Sequence, residues 1–120
     1  MQLLETTKLL NDFFGKITNS FIEDCVPISQ TFPYLTYSLN IQEFSREGIL
    51  QVRIWDESSS VNNIIELGDK LEKLIGENGV ILQGEQGYIW LYKGIPFMQI
   101  EPTYEDKIKS IYILLRYRNM

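Results

Sequence analysis

The residues most capable of chemistry are Asp56-Glu57-Ser58-Ser59-Ser60, which fit D-x-S-x-S, the first half of a metal-ion-dependent adhesion site. In such a site a strand-end carboxylate and two hydroxyls hold Mg²⁺, a hard cation that prefers oxygen ligands. The same residue types also gather at helix N-termini, where they accept backbone N–H bonds. The adhesion site belongs to a longer, parallel, doubly wound chain with further ligands on later strand ends. Here the segments that follow are short and hairpin-like, so the capping reading prevails and no metal or cofactor is expected.

Other chemistry has less to work with. The chain has no histidine, which removes the commonest general base and metal ligand. Its single cysteine, Cys25, has no imidazole partner and reads as a structural thiol. The acidic pairs Glu23/Asp24, Asp56/Glu57 and Glu105/Asp106 are sequence neighbours, and neighbours on a strand point to opposite faces. Gly76, Gly79, Gly84 and Gly87 match no phosphate-binding loop, because no G-K-[ST] follows them and no G-x-G-x-x-G occurs. They read as caps and turns. A non-enzymatic chain is expected.

The elements that must position any site are organised around Ile49–Gly76. In Ile49–Asp56, Leu50, Val52 and Ile54 share one face while Gln51, Arg53 and Trp55 share the other. The next stretch is an amphipathic helix with Val61, Ile64, Ile65, Gly68, Leu71 and Ile75 on its apolar side, widened by Leu67 and Leu74. A first helix is expected over Leu3–Phe14, buried through Leu3, Thr7, Leu10, Phe13, Phe14 and Ile17 and ended by Gly15. Ile17, Phe21, Ile22 and Val26 fit at most a short strand, which Pro27 ends or confines to an edge. Phe32–Leu39 reads as a strand with Leu35, Tyr37 and Leu39 on one face. The polar connection Asn40–Gly48 joins it to the central strand as a hairpin, with Ile41 and Phe44 as apolar teeth.

Further on, Val80–Gln83 reads as a short strand, and Tyr88–Lys93 as a strong one with Tyr88, Trp90 and Tyr92 against Ile89 and Leu91. Gly94–Pro96 is read as a turn into Phe97–Ile100. Glu101–Asp106 is an acidic loop, and Lys107–Arg118 the last and longest strand. This order implies a single α+β domain over residues 1–120, a mostly antiparallel sheet with flanking helices in a two-layer sandwich.

Composition agrees with a globular chain: 44% of residues are hydrophobic and 22% charged, so disorder is not expected. No apolar run approaches the ~20 residues of a membrane span, and Met1–Leu10 does not read as a secretory signal. The net charge of −5 argues against general nucleic-acid binding. Residues 1–106 hold all 16 acids and seven bases, whereas Lys107, Lys109, Arg116 and Arg118 leave the final strand purely basic. Opposite charge blocks can steer one copy onto the next, or simply solvate strand ends.

Trp55, Trp90, Tyr88, Tyr92 and Tyr112, with Arg53 and Arg116, fall opposite the most aliphatic strand rows. Mixed Trp, Tyr and Arg is the composition of a contact-surface centre. A second core layer beneath the first helix and a base-stacking surface are the competing readings. The expected contact set is Phe44, Arg53, Trp55, Trp90, Tyr92, Tyr112, Arg116 and Arg118.

Thr31–Leu39 (TFPYLTYSL), Leu50–Ser60 (LQVRIWDESSS) running into the helix ELGDKLEKLIG, and Tyr88–Phe97 (YIWLYKGIPF) with the closing strand IYILLRYR resemble the small tail-completion, or tail-terminator, proteins of long-tailed bacteriophages. The neck proteins of the head–tail junction are near neighbours. The resemblance covers the chain from Thr31 onward, and its motifs are architectural. It implies a sheet flanked by helices and assembly, from subunits that can be monomeric in solution, into a homo-oligomeric ring, typically hexameric. That ring caps the tail tube and presents a surface for head joining. The implied partners are the major tail tube protein and the head-completion or connector proteins, with DNA contact only through a ring pore. The implied location is the virion, after synthesis in the host cytoplasm. A different neck component, or a small-ligand or glycan-binding domain using Trp55 and Trp90 as platforms, is the alternative.

Overall fold

The computed structural model describes residues 3–23, 25–41, 47–101 and 107–119. Along the chain run α1 (Leu3–Phe14), β1 (Ser20–Ile22), β2 (Tyr34–Ile41), β3 (Glu47–Glu57), α2 (Asn62–Ile75), β4 (Val80–Gln83), β5 (Tyr88–Ile100) and β6 (Ile108–Asn119). The strands form one curled six-stranded sheet in the order β1-β2-β3-β6-β5-β4. Every pairing is antiparallel except β1 with β2. The α+β expectation therefore stands. Phe44 and its neighbours 42–46 lie outside the described residues, as do Asp24, Glu105 and Asp106.

Strand β6 sits between β3 and β5, so the all-basic segment is central in the sheet. Its sequence suits that place. Ile111, Ile113, Leu115 and Tyr117 are buried on one face, and Tyr112 and Leu114 are half-buried on the other. Strand β3 alternates in the same way, with Leu50, Val52 and Ile54 fully buried. These rows, with Leu35, Tyr37, Ile89 and Leu91, meet Ile64, Leu71 and Ile75 of α2 and Leu10, Phe13 and Phe14 of α1 in one core. Each such side chain contributes about 1.5–3 kcal/mol on burial. Both helices cover this one face.

Helix α2 lies over β3, β6 and β5, and packs closely because Gly68 offers no side chain. A Cβ there would stand 3.1 Å from Met98 Sδ. Helix α1 instead packs against β1 and β4, the two outer strands, which the curl of the sheet brings within reach of one short helix. Tyr37 of β2 holds it in place: its hydroxyl donates to Asn11 Oδ1 at 2.7 Å, and its ring centre lies 5.3 Å from that of Phe14.

Several sequence expectations need correction. The buried line of α1 runs through Thr6, Leu10, Phe13 and Phe14, while Leu3 is 54% exposed and the Thr7 hydroxyl donates to the Leu4 carbonyl. The cause is the docking of the first turn on the β4–β5 turn, where Glu5 Oε1 accepts the Gln86 N–H. The residues Gly94–Pro96 do not end a strand. β5 continues through them and is longer than β6, because both of its halves pair with β6. Lys93 faces Leu115 and Met98 faces Ile113, leaving Gly94 to Phe97 opposite Leu114 alone. Leu114 occupies the space a Cβ at Gly94 would need, 2.6 Å from its Cγ.

The serine cap is also displaced. Val61 holds the N-cap position of α2 without a side-chain cap. Ser58 Oγ accepts the Ser60 N–H and Ser60 Oγ the Asn62 N–H, so the serines tie down the approach and only one first-turn donor. Asp56 is buried at the end of β3, and its Oδ2 accepts from Asn63 Nδ2 at 3.0 Å. The three oxygens are thus engaged in local bonds that join β3 to α2.

A candidate interface on the open sheet face

The side of the sheet away from the helices is floored by the alternate residues of β2, β3, β6 and β5. Strand register sets their rows. Tyr34, Trp55 and Ser110 form one row, and Thr36, Arg53, Tyr112 and Gln99 the next. Ser38, Gln51 and Leu114 follow, then Ile49, Arg116 and Tyr92, and last Glu47, Arg118 and Trp90, with Ile81 of β4 beyond.

At the β1–β2 side the rings of Phe21, Phe32 and Trp55 gather around Tyr34. Its centre lies 6.4 Å from Phe21, 5.2 Å from Phe32 and 6.5 Å from Trp55, the last pair stacked. Trp55 is fixed further by its indole N–H, which donates to Thr36 Oγ1 at 3.1 Å. At the β4–β5 side Trp90 and Tyr92 stack at 4.3 Å, two residues apart on the same face. The Trp90 indole donates to the Asn78 carbonyl at 2.9 Å. That carbonyl precedes Gly79, whose φ of +83° suits glycine; a Cβ there would fall 2.5 Å from Trp90 Nε1. Each tryptophan therefore presents a ring whose orientation is set before any contact is made.

Between the aromatic groups lies a polar belt. Arg53 Nε is 2.9 Å from Glu101 Oε1, and its guanidinium stands 4.9 Å over the Tyr112 ring. Ser110 Oγ donates to the same Glu101 oxygen at 3.1 Å. Arg53, Glu101 and Tyr112, with Gln51 and Gln99, line a hollow of about 250 Å³. A second hollow of about 390 Å³ is lined by Ile49, Tyr92, Leu114, Arg116 and the Gly94–Ile95 bulge. Ile95 is 94% exposed there. Arg118 lies 3.7 Å from Glu47, whereas Arg116 has no ion pair among the described residues.

Of the expected contact set, Arg53, Trp55 and Tyr112 come together at one end of this face, and Trp90, Tyr92, Arg116 and Arg118 at the other. The two tryptophans do not share a cleft. They face Ser110 and Arg118, eight residues apart along β6, or roughly 26 Å at a strand's rise. Glu101 follows β5 at the start of the acidic loop, as expected, and what the sequence does not reveal is that its backbone and side chain still bond Ser110 of β6. Tyr34, within the expected strand Phe32–Leu39 but not singled out there, is the hub of its aromatic group; its parity with Thr36 is the available signal.

The perturbed titrating groups lie on the other side of the sheet. Burial, with a smaller contribution from Cys25, pushes the Tyr37 hydroxyl up to about 12, and burial raises that of Tyr117. Among the described residues no group of three or more Cys, Asp or Glu stands where it could hold a metal ion. No described helix is long and apolar enough to cross a membrane.

The fold is shared with solved proteins. One solved chain superposes with a TM-score of 0.65 over 98% of this chain and 92% of its own, at 15% identity. A chain of the virion of a native gene transfer agent particle gives 0.63 over 97% and 92%, at 10% identity. The bacteriophage SPP1 gp17 protein gives 0.51 over 98% and 96%, at 14% identity. No protein-family model matches the sequence, and no curated protein matches it.

Proposed function

We propose that this chain is a structural virion assembly protein that caps a phage tail tube as a ring and prepares it for joining to the head. The observation that carries the proposal is the fold, shared over nearly the full length with a chain of a gene transfer agent virion and with SPP1 gp17. Fold alone does not specify function. The open sheet face adds to it: two oriented aromatic groups and an arginine belt, uncovered by either helix, have the make-up of a protein-binding surface. Its hollows are open to solvent, and the ionised groups of the smaller one, Arg53 and Glu101, are paired with each other. Partners on this reading are further copies of the chain, the tail tube protein and the head-completion proteins, and its place is the neck of the particle.

Closed rings need subunit contacts between two different patches of the same protomer. An acidic body and the Arg116–Arg118 end of the open face supply that asymmetry. The test is assembly of tails with the gene deleted. Tails of irregular length, or tails left unjoined to heads, are the expected result, reversed by adding the protein. Uniform tails that join heads normally would overturn the proposal.

A further inference from the structure

We infer that the open sheet face is one half of a contact between copies, and that it receives a different, carboxylate-bearing surface of the next copy with Arg116 as its anchor. This rests on the ring reading above and specifies which surface of the subunit makes the contact. Arg116 stands on the central strand, exposed, between Ile49 and Tyr92, and no carboxylate pairs with it among the described residues. The stacked Trp90 and Tyr92 rings lie beside it, and the Ile95 knob closes the other side of the hollow. An unpaired guanidinium offers its whole fork to a carboxylate, and the stacked rings on the neighbouring strand give an apolar border that keeps water from such a pair.

Charge selects the occupant. At the Arg116 end of this face Arg116 and Arg118 outnumber Glu47; over the whole face three arginines balance Glu47, Glu57 and Glu101, while the chain carries −5. The surfaces away from the face are therefore acidic in sum. Two open faces brought together around a two-fold axis would oppose arginine to arginine, a like-charge contact that costs affinity. Setting the face against an acidic surface of another copy instead pairs the charges. It also makes the contact heterologous, the kind that propagates and closes into rings.

The test is a dilution series of the ¹⁵N-labelled full chain followed by amide shifts, from about 20 µM to about 1 mM at low salt. Millimolar protein reports contacts that become tight only when subunits are held together on a target. The expected result is concentration-dependent shifts on the open face around Tyr92 and Arg116, and also at acidic residues off that face. Arg116→Glu should weaken the association by about tenfold or more, with a dispersed spectrum showing that the variant is folded. Shifts confined to the open face would overturn the inference in favour of a two-fold contact. Shifts elsewhere only, or none at 1 mM, would overturn it as well. The ring reading is decided separately, by tail length and joining in the deletion assay.

Discussion

Arg53 and Glu101 meet across the open face at 2.9 Å although 48 residues separate them, and the same guanidinium lies over Tyr112. The pair joins β3 to the residue that follows β5, across the intervening β6. Both side chains are partly exposed, which limits the ion pair to about 0.2–1 kcal/mol. The stacked ring adds about 0.5–1 kcal/mol that a lysine would not fully recover. Arg53→Lys should therefore lower unfolding free energy by about 1 kcal/mol, and Glu101→Gln by less. Urea unfolding of both single variants and the double variant measures the coupling; strict additivity would show that the pair contributes nothing.

Tyr37 sets an alkaline limit on stability. Its hydroxyl is buried against α1 with a pKa moved from 10.0 up to about 12. A phenol whose pKa rises on folding is harder to ionise in the native state than in the unfolded chain. Its contribution is complete below pH 10 and is lost as the pH climbs from 10 towards 12. Unfolding free energy should fall across that window. In Tyr37→Phe the fall should shrink, Tyr117 supplying what remains. The substitution should also cost about 1 kcal/mol at neutral pH, because Asn11 Oδ1 loses its donor. Denaturant melts at pH 8, 10 and 11 for both proteins give the comparison.

Much of this architecture was legible in the sequence because one physical signal, apolar periodicity, dominates it. The rows Leu50–Val52–Ile54 and Ile111–Ile113–Leu115 are pure enough to set both strand and buried face, and the stripe of α2 is equally clear. Those same rows placed Arg53, Trp55, Trp90 and Tyr92 on the opposite side. What was not legible depended on tertiary partners. Gly94 and Pro96 look like a turn until Leu114 is seen to hold the bulge within a continuous strand. The roll of α1 is set by the Glu5–Gln86 contact, 81 residues apart, which no local pattern encodes. The parallel pairing of β1 comes from a segment too short to show a period.

Gly79 should prove one of the least replaceable glycines. Its φ of +83° is unfavourable for any L side chain, and a Cβ would meet Trp90 Nε1 and the Leu91 carbonyl, at 2.5 Å and 2.6 Å. Backbone atoms cannot step aside as a flexible side chain could. Gly79→Ala should cost about 1–3 kcal/mol and break the Trp90 bond to the Asn78 carbonyl, which tryptophan emission would register. Gly68→Ala is the contrast. There the obstacle is the end of Met98, which can rotate, and the helix gains about 1 kcal/mol from replacing glycine. That variant should lie within about 1 kcal/mol of the parent.

The open face can be separated from the fold by comparing two kinds of variant. Ile113 is wholly buried beneath α2, so Ile113→Ala should remove about 2–5 kcal/mol of stability and lower function only by depleting folded protein. Tyr92 is half-buried on the open side, stacked on Trp90 and bonded to nothing that holds a helix in place. Tyr92→Ala should cost little in thermal midpoint yet reduce tail capping sharply if the face binds protein, since aromatic anchors carry a disproportionate share of interface energy. Capping activity at matched concentrations of folded protein distinguishes the two. A Tyr92→Ala protein that caps tails as well as the parent would show that its stacked ring serves the sheet alone.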